Sequence, residues 1–179
     1  MTYRPISDSR VLISELMLPS HSNFAGKIHG GYILNLMDQI AFACASKHSG
    51  HYCVTASVDT VDFLNPIEIG ELVTMKASVN YTGRSSMVVG IRVESENIQD
   101  GFVKHCNSSY FTMVARSEQG ETVQVPELIL HTENDVRRFM KAIKRKEMRK
   151  NDREAFREAN FVPEDYTDEL KKYNVRLAL

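Results

Sequence analysis

The segment 30–46 limits what this chain can fold into more than any other part of it. Ile33, Leu34, Leu36, Met37, Ile40, Ala41, Phe42, Ala43, Cys44 and Ala45 make it apolar nearly all round. A helix of that kind belongs inside a core rather than on a surface. The residues before it, Ser22-Asn23-Phe24-Ala25-Gly26-Lys27-Ile28-His29-Gly30-Gly31, are polar and glycine-rich. Gly30-Gly31 predicts a helix start where the backbone comes close to another group, and Ser49-Gly50 predicts its stop. One carboxylate, Asp38, sits within the apolar run. A lone charge there is costly unless it is paired, hydrogen-bonded or open to a cavity. That conflict between charge and setting marks the place to look for function.

The rest of the chain supplies what would cover such a helix. Residues 11–18 read as a short strand ended by Pro19, and residues 1–10 as a loose start. After the helix, Val54, Ala56 and Val58 alternate with polar residues. The apolar parity then slips to Val61 and Phe63, which predicts a bulge near Asp59-Thr60. Val73, Met75, Ala77, Val79 and Tyr81 form one period-2 face, and Met87, Val89, Ile91 and Val93 a second. The turn Thr82-Gly83-Arg84-Ser85 between them predicts an antiparallel hairpin. A further strand is expected over 102–115, turning at Ser117-Glu118-Gln119-Gly120 into 122–125. A meander without helices between its strands must bury one face on the single apolar helix. The expected fold is α+β: a curved antiparallel sheet wrapped around one long central helix.

Composition shifts at His131. Thr132 and Asp135 have the spacing of a capping box. Val136, Phe139, Met140 and Ile143 then mark one stripe of a C-terminal helix otherwise rich in lysine and arginine. The division expected is 11–130 for the main domain and 131–179 for a basic helix and tail. Charged residues make up 25% of the chain and the net charge is −1, which gives no general pull toward nucleic acid or an anionic membrane. Cys44, Cys53 and Cys106 stand at unrelated spacings and read as buried small hydrophobes in a reducing compartment. No apolar run is long enough to span a bilayer, and a cytoplasmic protein is expected. A Gly-x-Ser-x-Gly elbow, a P-loop and a His-Glu-x-x-His zinc helix are all missing from the sequence.

Several motifs together carry a resemblance. They are Asn23-Phe24-Ala25-Gly26, His29-Gly30-Gly31 with Leu34 and Met37-Asp38, and Val61-Asp62-Phe63-Leu64-Asn65-Pro66-Ile67 with Gly70. Tyr81-Thr82-Gly83-Arg84-Ser85-Ser86-Met87, Tyr110-Phe111-Thr112-Met113-Val114-Ala115 and Val125-Pro126 complete the set. From about residue 11 to about 149 the chain resembles the hotdog-fold acyl-CoA thioesterases, the group with broad-range bacterial and animal cytosolic members. The resemblance implies hydrolysis of acyl-CoA to free acid and CoA without a metal or a separate cofactor. It implies that Asp38 and Asn23 carry catalysis, and that the protein is a dimer, often built into a hexamer as a trimer of dimers.

Thioester hydrolysis needs a polarised carbonyl, a base or nucleophile, and a hold on the CoA handle. Gly30 and Gly31 at a helix start offer unpaired N–H groups and the positive end of the helix dipole. Such an oxyanion site lowers a barrier by about 3–4 kcal/mol. Asp38 would serve as general base for water or as the nucleophile, and these alternatives stay open. Asn23 would hold the water or the thioester through its amide. His29 is expected to orient the loop, and Thr60 to lie near the site. Thr82, Gly83, Arg84, Ser85 and Ser86 could be an ordinary hairpin turn, but with the resemblance they are the candidate for the CoA phosphates. Gly31 and Asp38 are seven residues apart, about 10 Å along one helix. They cannot both touch one carbonyl carbon, which predicts sites shared between two antiparallel helices of a homodimer. The rivals are a hotdog enoyl hydratase or dehydratase, for which His29 is the only helix-proximal candidate for the histidine such enzymes pair with a carboxylate, and a non-catalytic acyl-CoA sensor.

Overall fold

In the computed structural model, which describes residues 2–176 and 178, the apolar run becomes helix α2, Gly30–Ser49. Around it the chain runs β1 (Tyr3–Pro5), α1 (Ile6–Ser9), β2 (Val11–Leu16), then α2, β3 (Tyr52–Val58), β4 (Leu72–Thr82), β5 (Ser86–Asn97), β6 (Phe102–Arg116) and β7 (Glu127–Ile129). A long helix α3 (Glu133–Glu158) and a short α4 (Thr167–Leu170) follow. The chain forms two compact units, one up to Ala142 and one from Ile143 onward.

Five strands form one curled antiparallel sheet in the order β2-β4-β5-β6-β3. The two alternating runs pair as expected, with Met75 opposite Val93 and Val79 opposite Val89. Their inward side chains, with Phe111, Met113 and Ala115 of β6, are buried together with α2. On α2 the buried apolar positions are Ile33, Leu36, Met37, Ile40, Ala41, Cys44 and Ala45, the spacing of a single helical face. Each large side chain among them contributes about 1.5–3 kcal/mol by leaving water.

α2 is therefore not enclosed on all sides in the single chain. Leu34, Asn35, Asp38, Gln39 and Phe42 lie on an open face, with Phe42 39% exposed. This corrects the expectation of a helix sunk on every side. The sheet supplies one layer, and the opposite face is left uncovered.

Three other expectations change. Residues 3–9 are not loose: Ile6 and Ser9 are buried, and Ser9 Oγ donates to the Ile6 carbonyl while accepting the Val79 N–H at the bulge of β4. Arg4 donates to the carbonyls of Lys47 and His48 at 3.1 and 2.9 Å, neutralising the negative end of α2. The β3 irregularity falls between Thr55 and Ser57, earlier than Asp59-Thr60, and the strand ends at Val58. Residues 122–125 are not a strand. Val125 instead donates to the Arg84 carbonyl, and the chain goes on to pair β7 with β1 in parallel.

The capping box of α3 forms as expected: Asp135 N–H donates to Thr132 Oγ1, and Thr132 N–H to Asp135 Oδ2, both at 3.1 Å. The packed side of its first turns runs through Asp135, Arg138, Phe139 and Ala142, while Val136 and Met140 are exposed. Phe139 meets the Tyr81 ring at 5.6 Å between centroids.

A buried ion pair ties the loop after β3 to the sheet. Glu71 accepts from Lys104 Nζ at 2.7 Å, Ser95 Oγ at 2.5 Å and the Glu68 N–H at 2.9 Å. Burial pushes its carboxyl pKa up, but these donors outweigh burial and hold it below the ordinary carboxylate value. A depressed folded-state pKa gives stability that is fully present above the unfolded value and lost as pH falls through the folded one. Glu71→Gln is expected to destabilise the fold by about 3 kcal/mol at neutral pH, because Lys104 is left without its partner. Urea titrations across pH check this: the gap between wild type and variant should narrow once the solution is acid enough to protonate Glu71.

Candidate active site

The loop 19–29 is built to present the start of α2. Asn23 Oδ1 accepts from the N–H groups of Ala25 and Lys27 at 2.9 and 3.2 Å, an Asx turn that fixes its side chain. With its oxygen so used, the amide Nδ2 remains as a donor. His29 is the N-cap: its Nδ1 accepts the Gly31 N–H at 3.3 Å, and its own N–H donates to the His21 carbonyl. His21 stacks on Tyr32 at 4.0 Å, and the Tyr32 hydroxyl donates to Glu15, fastening the loop to β2 and α2 together. That carboxylate raises the Tyr32 pKa.

The histidine cap takes up one of the donors expected for an oxyanion, leaving Gly30 N–H at the first helical position without an intrahelical acceptor. A Cβ at Gly30 would stand 3.2 Å from the Phe63 ring. Gly30 is thus the floor beneath an exposed aromatic. Phe24, at the loop tip, projects fully into solvent.

Asp38 lies two turns further along, on the open face of α2. Thr55 Oγ1 donates to Asp38 Oδ1 at 2.5 Å and sits 3.5 Å from the sulfur of Met113. Thr55 is on the edge strand β3, beside the irregularity that re-aims its neighbours. Sequence reasoning passed over it. Val54, Ala56 and Val58 alternate in phase through this point, so the sequence carries no signal that singles Thr55 out.

The structure gathers only part of the expected set. Asn23, His29, Gly30 and Gly31 cluster at the amino end of α2. Thr60 is in the segment after β3, where its carbonyl accepts from Ser109 Oγ. Thr82, Gly83, Arg84, Ser85 and Ser86 close the β4–β5 hairpin at the other end of the helix. Gly83 N–H donates to the Ser86 carbonyl at 2.7 Å, and Arg84 is exposed. Val125 bonds Arg84, and the next carbonyl, that of Pro126, bonds His48 in the last turn of α2. A 20-residue helix is about 30 Å long. The hairpin and the glycine start of one chain therefore cannot serve the same thioester. Burial pushes the Cys44 thiol up to about 12, which keeps it an inert packing residue.

Residues 25–102 match the family model of the thioesterase superfamily. The chain is 45% identical over 141 residues to protein VdlD of Helicobacter pylori, a match covering 79% of this chain and 80% of that one. The crystal structure of an apo-hexameric acyl-CoA thioesterase superposes with a TM-score of 0.82 at 38% identity, over 84% of this chain and 97% of that chain. The chain belongs to the hotdog-fold acyl-CoA thioesterases. A further thioesterase of the group, the acyl-CoA hydrolase of Staphylococcus aureus, has been solved with butyryl coenzyme A, coenzyme A and coenzyme A disulfide. It superposes with a TM-score of 0.80 at 30% identity, over 87% of this chain and 94% of that chain. Structures of its variants carry alanine in place of an asparagine, an aspartate or a threonine. As in those thioesterases, the fold here is one long helix held in a curled sheet with a helix after it. Among the described residues no helix is long and apolar enough to cross a membrane.

Proposed function

We propose that the chain hydrolyses acyl-CoA to the free acid and CoA in sites that two copies build together. The observation that carries the reading is the Asp38–Thr55 pair. A carboxylate on the uncovered face of α2 is held by a hydroxyl on the adjacent open strand edge. Leu34, Phe42 and Tyr52 surround this area as exposed apolar surface. Two copies packed with their α2 helices antiparallel would cover it and set the glycine start of one beside Asp38 of the other. The same pairing would bring the hairpin Thr82-Gly83-Arg84-Ser85-Ser86 of one chain toward the amino end of its partner's helix, where the CoA phosphates would emerge.

In this site the Gly30 N–H and the Asn23 amide donate to the thioester oxygen as it becomes an oxyanion. Asp38, aimed by Thr55, either takes a proton from the water that adds to the carbonyl carbon, or attacks that carbon itself to form an anhydride that water then opens to the free acid and the restored carboxylate. The thiolate of CoA leaves, and it is protonated in solution. The three positions replaced in the Staphylococcus aureus hydrolase are spaced as Asn23, Asp38 and Thr55 are here, which supports assigning the third role to Thr55. The hexameric relative supports three such dimers per assembly. The protein is expected to work in the cytoplasm with no partner but copies of itself and the acyl-CoA, and CoA enters only as part of substrate and product.

Thiol release from a ladder of acyl-CoA chain lengths tests the reading. Steady-state release at micromolar enzyme, with the acid as co-product, supports it. CoA binding without release at every chain length would make the protein a sensor and overturn it.

A further inference from the structure

The side of β2 that faces α2 carries Val11, Ile13 and Glu15, every second residue of the strand. Val11 and Ile13 pack against the core. The third place in that series holds a half-buried carboxylate where the pattern calls for an apolar side chain. A charge on a packed face is costly unless a partner answers it. Among the described residues its hydrogen-bond partner is the hydroxyl of Tyr32, in the first turn of α2, and that partner is neutral. The pair therefore does not cancel charge. It fixes where the end of the Tyr32 side chain sits.

The Tyr32 ring in turn holds the outgoing limb of the loop 19–29. It stacks on His21 with 4.0 Å between centroids and 18° between planes. His21 is the base of the loop. Its carbonyl accepts the His29 N–H at 2.8 Å, its Nδ1 accepts the Leu18 N–H at 3.3 Å, and its own N–H donates to the Leu18 carbonyl at 3.0 Å. Two residues on, Asn23 is locked to the loop tip. Its N–H donates to the Lys27 carbonyl at 2.7 Å, and its side-chain oxygen holds Ala25 and Lys27. The returning limb has anchors of its own, the Ile28 N–H on the Ile67 carbonyl at 2.9 Å and Lys27 on Glu68 at 2.5 Å. The limb that carries Asn23 meets α2 through the stack. A loop that is rigid within itself turns as a unit about its base, so the place of the Asn23 amide beside the Gly30 N–H follows the Tyr32 ring.

We infer that Tyr32, pinned by Glu15, is a positioning residue that sets the Asn23 amide against the thioester oxygen. The inference rests on the proposed hydrolysis, in which Asn23 and Gly30 donate to the oxyanion. Such donors speed the reaction by standing in place before the charge develops, and a misplacement of about 1 Å costs on the order of 100-fold. Glu15 and Tyr32 act through Asn23 and take no part in the bonds that form or break. The hydrogen bond, not the charge of Glu15, carries the role, because a negative charge near the positive end of α2 works against an oxyanion there.

Steady-state thiol release from acyl-CoA by the full chain tests this in a double-mutant cycle. Tyr32→Phe keeps the ring and removes the bond. It should lower kcat by about 10- to 100-fold with KM near wild type, since the lost interaction belongs to the transition state. On an Asn23→Ala background the same change should alter kcat by less than about twofold, because a donor already absent cannot be misplaced. A variant that merely lowers the share of folded protein loses activity by the same factor on both backgrounds. Glu15→Leu should behave as Tyr32→Phe does. Glu15→Gln, whose amide oxygen still accepts from the hydroxyl, should keep kcat within about threefold of wild type. If Glu15→Leu does not fold, Tyr32→Phe, which removes a single oxygen, carries the cycle. Equal factors on the two backgrounds overturn the inference, and so does a Glu15→Gln variant as slow as Tyr32→Phe. Asn23→Ala with wild-type turnover would take down the reading of the site and this inference with it. An impaired Asn23→Ala on which Tyr32→Phe multiplies leaves the site standing and removes the inference alone.

Discussion

Asp38→Asn is expected to lower kcat for acyl-CoA hydrolysis by about 10²–10⁴-fold, the range that a positioned acid–base group contributes. Asparagine has nearly the shape of aspartate, and its Oδ1 can still accept from Thr55 Oγ1. The helix face is otherwise unchanged, and Asp38 belongs to no buried ion pair. CoA affinity should hold, since the proposed phosphate contacts lie at the hairpin of the other chain. Stopped thiol release together with CoA titration separates the two effects. A variant that keeps wild-type turnover would remove Asp38 from the chemistry. Single turnover in ¹⁸O-water distinguishes the two roles of the carboxylate. A base puts the label in the acid from the first turnover, whereas a nucleophile whose anhydride water opens at the Asp38 carbonyl first passes one of its own oxygens to the acid and takes the label into its side chain.

Phe42→Asp is expected to do nearly as much damage without touching a reacting group. Phe42 lies on the open face of α2, with its ring centroid 5.6 Å from that of Tyr52 on the edge strand. It adds little to the core of its own chain. If a second copy covers this face, the new carboxylate is buried without a partner, at a cost of several kcal/mol. Sedimentation should then show monomers at concentrations where the wild type is assembled. Turnover should fall by about 100-fold or more, in line with losing oriented groups from the site. Far-ultraviolet circular dichroism should keep its shape, because the sheet and the buried side of α2 are intact. A variant that stays assembled and active would mean that this face is not where copies meet.

The sheet, the hairpin and the central helix were legible because their signals are periodic. Met75 and Val79 against Val89 and Val93 repeat every second residue, and α2 is long and nearly free of charge. What was less legible has no period. Residues 3–9 look like a tail, yet Ile6 and Ser9 are buried because Ser9 fills the hydrogen bond that the bulge in β4 leaves open. That compensation depends on a partner 70 residues away. The open face of α2 is hard to tell from core in the sequence, because Leu34 and Phe42 are as apolar as the buried positions beside them. Thr55 went unnoticed because a single threonine in a strand of alternating residues carries no mark. Only the contact with Asp38, across the turn between helix and strand, gives it a role. His29 stands out in the sequence by its place before Gly30-Gly31, whereas its use as a cap for the Gly31 N–H shows only in the structure.

The shared site can be tested most directly by mixing two inactive chains. Asn23→Ala removes the donor on the glycine side, and Asp38→Ala removes the carboxylate. If the two sides belong to different copies, a mixed pair has one site with both defects and one with neither. Co-refolding equal amounts should restore thiol release to roughly a quarter of wild type under random pairing. If the mixture stays as inactive as either variant alone, although mixed assemblies are present by mass spectrometry, Asn23 and Asp38 act within one chain and the account of the site is wrong.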